Sequence, residues 1–258
     1  MIAVLGSTGT IGRHVVSGLA EQNAATRLLR RPQTDLRDTA SLRAALEGAE
    51  QLFLLTPHGP DQDLREASTI DAAVAAGVRR IVKISGGAPS LGPNGVTSTA
   101  VAHWRSERRI EDSGLAFCFL RPSFLMQNLD AMTPQAGFLL APMGHAPIAM
   151  VDARDVAACA VAALLDGSPD GAFQLTGPAG VTFKDVARLM GARYVNVPAR
   201  LAAKALRRRG ASAFEVDHAL RMAAYFSSGA DGAPTDAVRR LTGQTPRTVQ
   251  QYLTQKAS

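Results

Sequence analysis

A glycine-punctuated stretch at the start of the chain constrains the fold more than any other feature: Met1-Ile-Ala-Val-Leu-Gly6-Ser-Thr-Gly9-Thr-Ile-Gly12-Arg13-His14. Ile2, Val4 and Leu5 form a short apolar run suited to a parallel strand covered on both faces. Gly6 permits a tight turn, Gly9 leaves room for a pyrophosphate against the backbone, and Gly12 lets the next helix pack close. Ile11, Val15, Val16 and Leu19 then continue at helical spacing, so the glycines sit between a strand and a helix N-terminus, whose unpaired N–H groups favour phosphate. The same string read alone is an ordinary strand-turn-helix; its position makes it a dinucleotide cradle, with Gly6, Thr8, Gly9, Thr10, Ile11, Gly12 and Arg13 as the expected contacts.

The second strand is expected at Thr26-Arg-Leu-Leu29, ending in Arg30-Arg31-Pro32. An NAD-specific unit usually has an acid here for the ribose 2′-hydroxyl. Two guanidinium groups suit a 2′-phosphate instead, so Arg30 and Arg31, with Arg13 converging, point to NADP(H). The competing reading is a surface arginine pair after a strand. Residues 32–38 are too few for a helix or a normal crossover, which needs a dozen or more residues. The third strand of the usual order is therefore expected to be missing or reduced to two or three residues, leaving Asp35 near the adenine.

Strands and helices alternate beyond this point: a helix at 41–46 capped by Asp38-Thr39, a strand at 51–55, a helix at 61–76, a strand at 78–84, a helix at 100–113, a strand at 116–120, a helix at 154–165 and a strand at 172–175. That alternation predicts an α/β fold of Rossmann type, a doubly wound parallel sheet. Ligands bind at the carboxyl ends of such strands, which makes Leu55, Thr56, Pro57 and Ser85 further cofactor candidates. Phe124, Met126 and Asn128 come after a strand end and are the expected substrate contacts. Thr182-Phe-Lys-Asp185 reads as a capping box. The chain is expected to form a single NAD(P)-binding domain over 1–258, in which about 122–150 and 176–258 build a small, mainly helical substrate lobe.

With 258 residues and 46% hydrophobic content the chain can bury a sizeable core. No uncharged run of about 18 apolar residues is present, and the first twenty residues lack a basic leader, so no membrane partner and a cytoplasmic location are expected. The net charge of +6 is spread over separate arginine clusters without a helix-turn-helix or interleaved aromatics, which argues against nucleic acid. Cys118 and Cys159 read as buried small hydrophobes, and the five histidines have no metal-ligand spacing.

The chain resembles the NmrA-like branch of the atypical short-chain dehydrogenase/reductases, including its NADPH-dependent quinone oxidoreductases. The marks are Gly6-Ser-Thr-Gly-Thr-Ile-Gly12, Leu29-Arg30-Arg31-Pro32, Lys83-Ile-Ser85, His103-Trp-Arg-Ser-Glu107, Ser113-Gly114-Leu115, Leu120-Arg121-Pro122 with Phe124-Leu-Met-Gln-Asn128, Val151-Asp-Ala-Arg-Asp155 and Leu241-Thr-Gly243-Gln-Thr-Pro246. In the wider family a Tyr-x-x-x-Lys pair donates the proton; here His103 and Glu107 occupy those places. A carboxylate one turn away would raise the imidazole pKa and hold a donor near neutral pH, with Ser85 as co-donor. The pair equally fits a helix-stabilising contact. The resemblance implies an NADPH-dependent reductase of a small, apolar carbonyl, quinone or imine compound, and it admits a homodimer. A non-catalytic NAD(P)-sensing regulator and an isomerase or cyclase on the same fold are the alternatives.

Overall fold

The computed structural model describes residues 1–30, 34–166 and 170–257. Six parallel strands, β1 (Ile2–Leu5), β2 (Thr26–Leu29), β3 (Gln51–Leu54), β4 (Arg80–Ile84), β5 (Ala116–Pro122) and β7 (Gly171–Leu175), form one sheet in the order β2-β1-β3-β4-β5-β7. Successive residues point to opposite faces, so each strand feeds two cores. Ile2, Val4, Phe53, Val82, Cys118 and Leu120 face α1 (Gly12–Glu21) and α5 (Ala153–Leu165). Ala3, Leu5, Leu52, Leu54, Ile81 and Phe119 face α2 (Thr39–Leu46), α3 (Gln62–Ala75) and α4 (Ser98–Asp112). The apolar strands of the sequence are continuous because both faces are covered.

β2 is the sheet edge, and residues 34–38 contain neither helix nor strand. Leu36 returns to the core beside Leu29, while the Asp35 carboxylate accepts from the Arg37 N–H in a local turn. Arg31 lies outside the described residues. The chain reverses direction across the sheet between β1 and β3, the switch point at which doubly wound sheets bind ligands.

A third core gathers the segments beyond β5 and β7. It contains a 3₁₀ turn at Met126–Ala131, β6 (Phe138–Ala141), α6 (Phe183–Leu189), β8 (Arg193–Asn196), α8 (Ala213–Ser227) and α10 (Val249–Ala257), with α7 (Ala199–Arg208) packed against α8. Two features differ from the expectation for this lobe. β6 and β8 pair in parallel as a small second sheet, which four-residue strands of mixed burial did not announce. α9 (Ala237–Thr242), expected in the lobe, packs on α5 and β7, because Ala237 and Val238 complete the first core of the main sheet. The Thr182–Asp185 capping box forms as expected, and Ser212 with Glu215 builds a second one at the start of α8.

Candidate active site

The turn after β1 is made by backbone. Gly6 has φ +85°, and a Cβ there would stand 2.4 Å from the Leu55 carbonyl oxygen at the end of β3. A Cβ on Gly12 would meet the Gly6 carbonyl oxygen at 2.0 Å, so this glycine closes the helix onto the turn itself. At Gly9 an added Cβ meets only the Gly6 carbonyl oxygen, at 3.4 Å. Thr8, Gly9 and Thr10 are exposed, whereas Ile11 anchors α1 in the core. Beside the turn, Arg30 Nε donates to Ser7 Oγ at 3.1 Å, bringing a guanidinium from the end of β2 to the rim of the cradle. Arg13 does not join it in this arrangement; its Nε donates to His14 Nε2 at 3.4 Å. A backbone cradle at a helix N-terminus with one arginine on its β2 side fits a phosphorylated dinucleotide.

A second assembly lies further along the same carboxyl edge. Lys83, the penultimate residue of β4, is fully buried, and its ammonium donates to Glu66 Oε2 at 2.7 Å. Glu66 is fully buried on α3 and also accepts from Thr56 Oγ1 at 2.6 Å and Gln62 Nε2 at 3.3 Å. His103 enters from α4 with Nδ1 at 3.2 Å from Lys83 Nζ. Gln62 Nε2 lies 3.3 Å from both ring nitrogens of His103. Two ring contacts extend the group toward the lobe: His58 packs on His103 with centroids 5.9 Å apart, and on His218 of α8 at 5.3 Å.

The protonation state is set by this geometry. An ammonium at Nδ1 is a donor, so Nδ1 must accept and the ring proton sits on Nε2. Burial, then the Lys83 charge, lowers the His103 pKa to about 3. Burial alone would raise the Glu66 pKa; the charges of Lys83 and His103 and its hydrogen bonds outweigh that and bring it to about 2. His103 is therefore a neutral imidazole beside an intact ion pair, and not the imidazolium that an adjacent carboxylate would have made.

That difference has a clear origin. Glu107 shares a helix face with His103, yet no hydrogen bond among the described residues joins the two. Arg121 Nε and Nη2 bind both Glu107 oxygens, at 2.9 and 2.5 Å. Helical spacing brings the two residues near one another, but a bidentate guanidinium on the neighbouring strand holds the carboxylate, so Glu107 fastens α4 to β5. The carboxylate that reaches His103 is Glu66, 3.8 Å from Nδ1.

Ser85 caps β4 with its backbone N–H on the Leu120 carbonyl, and its buried hydroxyl has no hydrogen-bond partner among the described residues. The adjoining Gly86 lies against His103; a Cβ there would be 3.4 Å from His103 Cδ2. Thr56 is buried in the Glu66 network and Pro57 is exposed. Phe124 and Met126 turn inward: both are buried in the lobe core, and Phe124 meets Phe183 and Phe226 edge-on at 6.0 and 5.3 Å. The apolar character that suggested substrate contact is here core packing, and Asn128 is exposed on the 3₁₀ turn. Cys118 and Cys159 are buried and free.

In the sequence, Lys83 stands out only as part of a strand-end mark, His58 only by its place just after the strand at 51–55, and Glu66, Gln62 and His218 not at all. Their signal was available: a lysine inside a buried strand requires an anion, and Gln62, Glu66 and Thr69 share the inward face of α3 with Ile70. Another buried acid, Asp231, accepts from Ser123 Oγ and from Gln174 Nε2 at 3.2 Å, pinning the loop after α8 to the ends of β5 and β7. Burial raises its pKa.

Comparison with known proteins agrees with the fold. Residues 1–198 match the NmrA-like family. An NAD(P)H azoreductase of Xenophilus azovorans is 33% identical over 98% of this chain and 96% of its own length. A Streptomyces griseus reductase of (4-alkanoyl-5-oxo-2,5-dihydrofuran-3-yl)methyl phosphate is 38% identical over 72% of this chain and 71% of its own. The fold superposes on an NADPH-dependent quinone oxidoreductase from Escherichia coli, complexed with NADPH, with TM-score 0.88 over the whole of both chains at 24% identity. A glycine cradle at the switch point, a shortened β2 edge and a sequence match over three quarters of the chain make this protein a member of the NmrA-like family.

Proposed function

We propose that the chain is an NADPH-dependent reductase of small conjugated acceptors of the quinone, azo, carbonyl or imine type, within the wider group of atypical short-chain dehydrogenase/reductases. One observation carries the reading: the glycine cradle, a neutral, buried His103 and a Ser85 hydroxyl with no hydrogen-bond partner among the described residues share the carboxyl edge of one sheet. The residues Gly6 to Gly12 would hold the pyrophosphate on backbone N–H groups, and Arg30 would face the 2′-phosphate. When bound, NADPH supplies the hydride.

The protein's share is orientation and the proton. Nε2–H of His103 and Oγ–H of Ser85 would donate to the acceptor atom on which negative charge develops. α8 reaches this edge, where its His218 meets His58. The relatives support a redox role in place of a sensor without chemistry. No helix among the described residues is long and apolar enough to cross a membrane, and we place the protein's work in the cytoplasm. Calorimetric titration with NADPH and NADH, then NADPH oxidation with menadione and methyl red, tests the proposal. Tight NADPH binding with acceptor-dependent oxidation is expected; binding without oxidation of any acceptor refutes it.

A further inference from the structure

We propose that Lys83 is the proton reserve of the site, passing a proton to Nδ1 of His103 as Nε2 of the same ring gives its own to the reduced acceptor. The proposal rests on the reductase reading above and adds a residue and a direction to it. Lys83 Nζ stands 3.2 Å from Nδ1 and 2.7 Å from Glu66 Oε2, and neither Lys83 nor Glu66 exposes any side-chain surface. A neutral imidazole is a poor acid by itself, because loss of Nε2–H would leave an anion in a buried site. An ammonium on the opposite nitrogen removes that obstacle. The Glu66 carboxylate 2.7 Å from Nζ favours the ammonium, so the shared proton rests on Nζ before reaction.

Atoms and charge balance. Bound NADPH would supply the hydride, the two electrons that leave negative charge on the acceptor. The Nε2–H bond breaks as the new acceptor O–H or N–H bond forms, and the Nζ–H bond breaks as Nδ1–H forms. The ring ends neutral in the opposite tautomer and Lys83 ends as an amine. Glu66 keeps its charge, held by Thr56 Oγ1 and Gln62 Nε2 at 2.6 and 3.3 Å. After product leaves, Nε2 takes a proton from water and Nδ1 returns the other to Lys83. His103, at 6% side-chain exposure, is then the route by which the buried ammonium is restored.

The charged groups facing His103 are Lys83 and Glu66, with His58 and His218 beyond; removing both buried charges together leaves no unpaired charge. The test uses the holoprotein and the Lys83→Met/Glu66→Leu double variant. In the wild type, ¹⁵N NMR of His103 should show a neutral ring protonated on Nε2. The double variant should lose that tautomer preference, bind NADPH as before, and turn over menadione about 10- to 100-fold more slowly. Its solvent-isotope proton inventory should change from curved, two protons in flight, to linear. A folded double variant with unchanged turnover and inventory overturns the relay, as does a wild-type ring protonated on Nδ1, which remains decisive if the variant fails to fold. Either result leaves the reductase reading standing; absence of acceptor-dependent NADPH oxidation by the wild type would sink both.

Discussion

The glycine turn and the Lys83–His103 cluster occupy one edge of one sheet, yet they are built by opposite means. The turn runs through residues 6–12 without interruption and acts through backbone, with glycines where a Cβ would strike a carbonyl at 2.0 to 2.4 Å. The cluster draws side chains from β4, α3, α4 and the segment after β3, residues 20 to 41 positions apart where His103 meets Lys83 and Gln62. A backbone site tolerates change in its neighbours but not in its glycines. A side-chain site in low dielectric depends on every partner, because an unpaired charge there costs several kcal/mol.

The sharpest division between the two sites should come from Glu66→Ala. It strands a fully buried ammonium, and urea unfolding should register a loss of about 3–5 kcal/mol, whereas Lys83→Met/Glu66→Leu should lose far less. Equal losses in the two variants would mean that packing and not charge pairing holds the cluster. Next in size, His103→Gln should lower kcat by about 10²–10⁴-fold while NADPH affinity stays put. A matching fall in affinity would show that the two sites are not separable.

Arg30 tests the other side. Arg30→Ala should reduce the preference for NADPH over NADH by about 1.5–3 kcal/mol with kcat spared, read by calorimetry with both dinucleotides. An unchanged preference would hand that role away from the Ser7-bound guanidinium.

Acidification gives a smaller, graded effect. In the unfolded chain His103 protonates near its ordinary 6.5, but in the fold only near 3, so the unfolded state binds more protons between these values. Glu66, at about 2 in the fold against an ordinary 4.5, acts in the same direction: its stabilisation is present above 4.5 and lost as pH falls toward 2. Stability should decline from pH 6.5 downward, and His103→Gln should flatten the decline between 6.5 and 3; an unaltered slope would show that other groups govern acid unfolding. The smallest expected effect is that of Glu107→Gln on chemistry. With its carboxylate on Arg121, the variant should lose some stability yet leave the pH–rate profile in place, and a shifted acid limb would restore Glu107 to His103.

The sheet was legible because its signals are local. Apolar runs of four or five residues, glycine stops and capping boxes each lie within one element, and the short stretch from Pro32 to Asp38 excluded a crossover by length alone. The lobe was less legible: Phe138 of β6 pairs with Arg193 of β8, with α5, β7 and α6 intervening in the chain, and only tertiary packing brings the two strands into register.

For the site, composition and order determined that residues 6–12 form a tight glycine turn between β1 and α1, since a glycine is required wherever a Cβ has no room, whatever surrounds it. The spacing of His103 and Glu107 determined only that they share a face. Which carboxylate meets which base was decided by the tertiary structure: Arg121 on β5 claimed Glu107, while α3 delivered Glu66 to Lys83 and His103. Electrostatic partnership depends on distance in space and on what water has been excluded, and neither quantity is written in the spacing of residues along one helix.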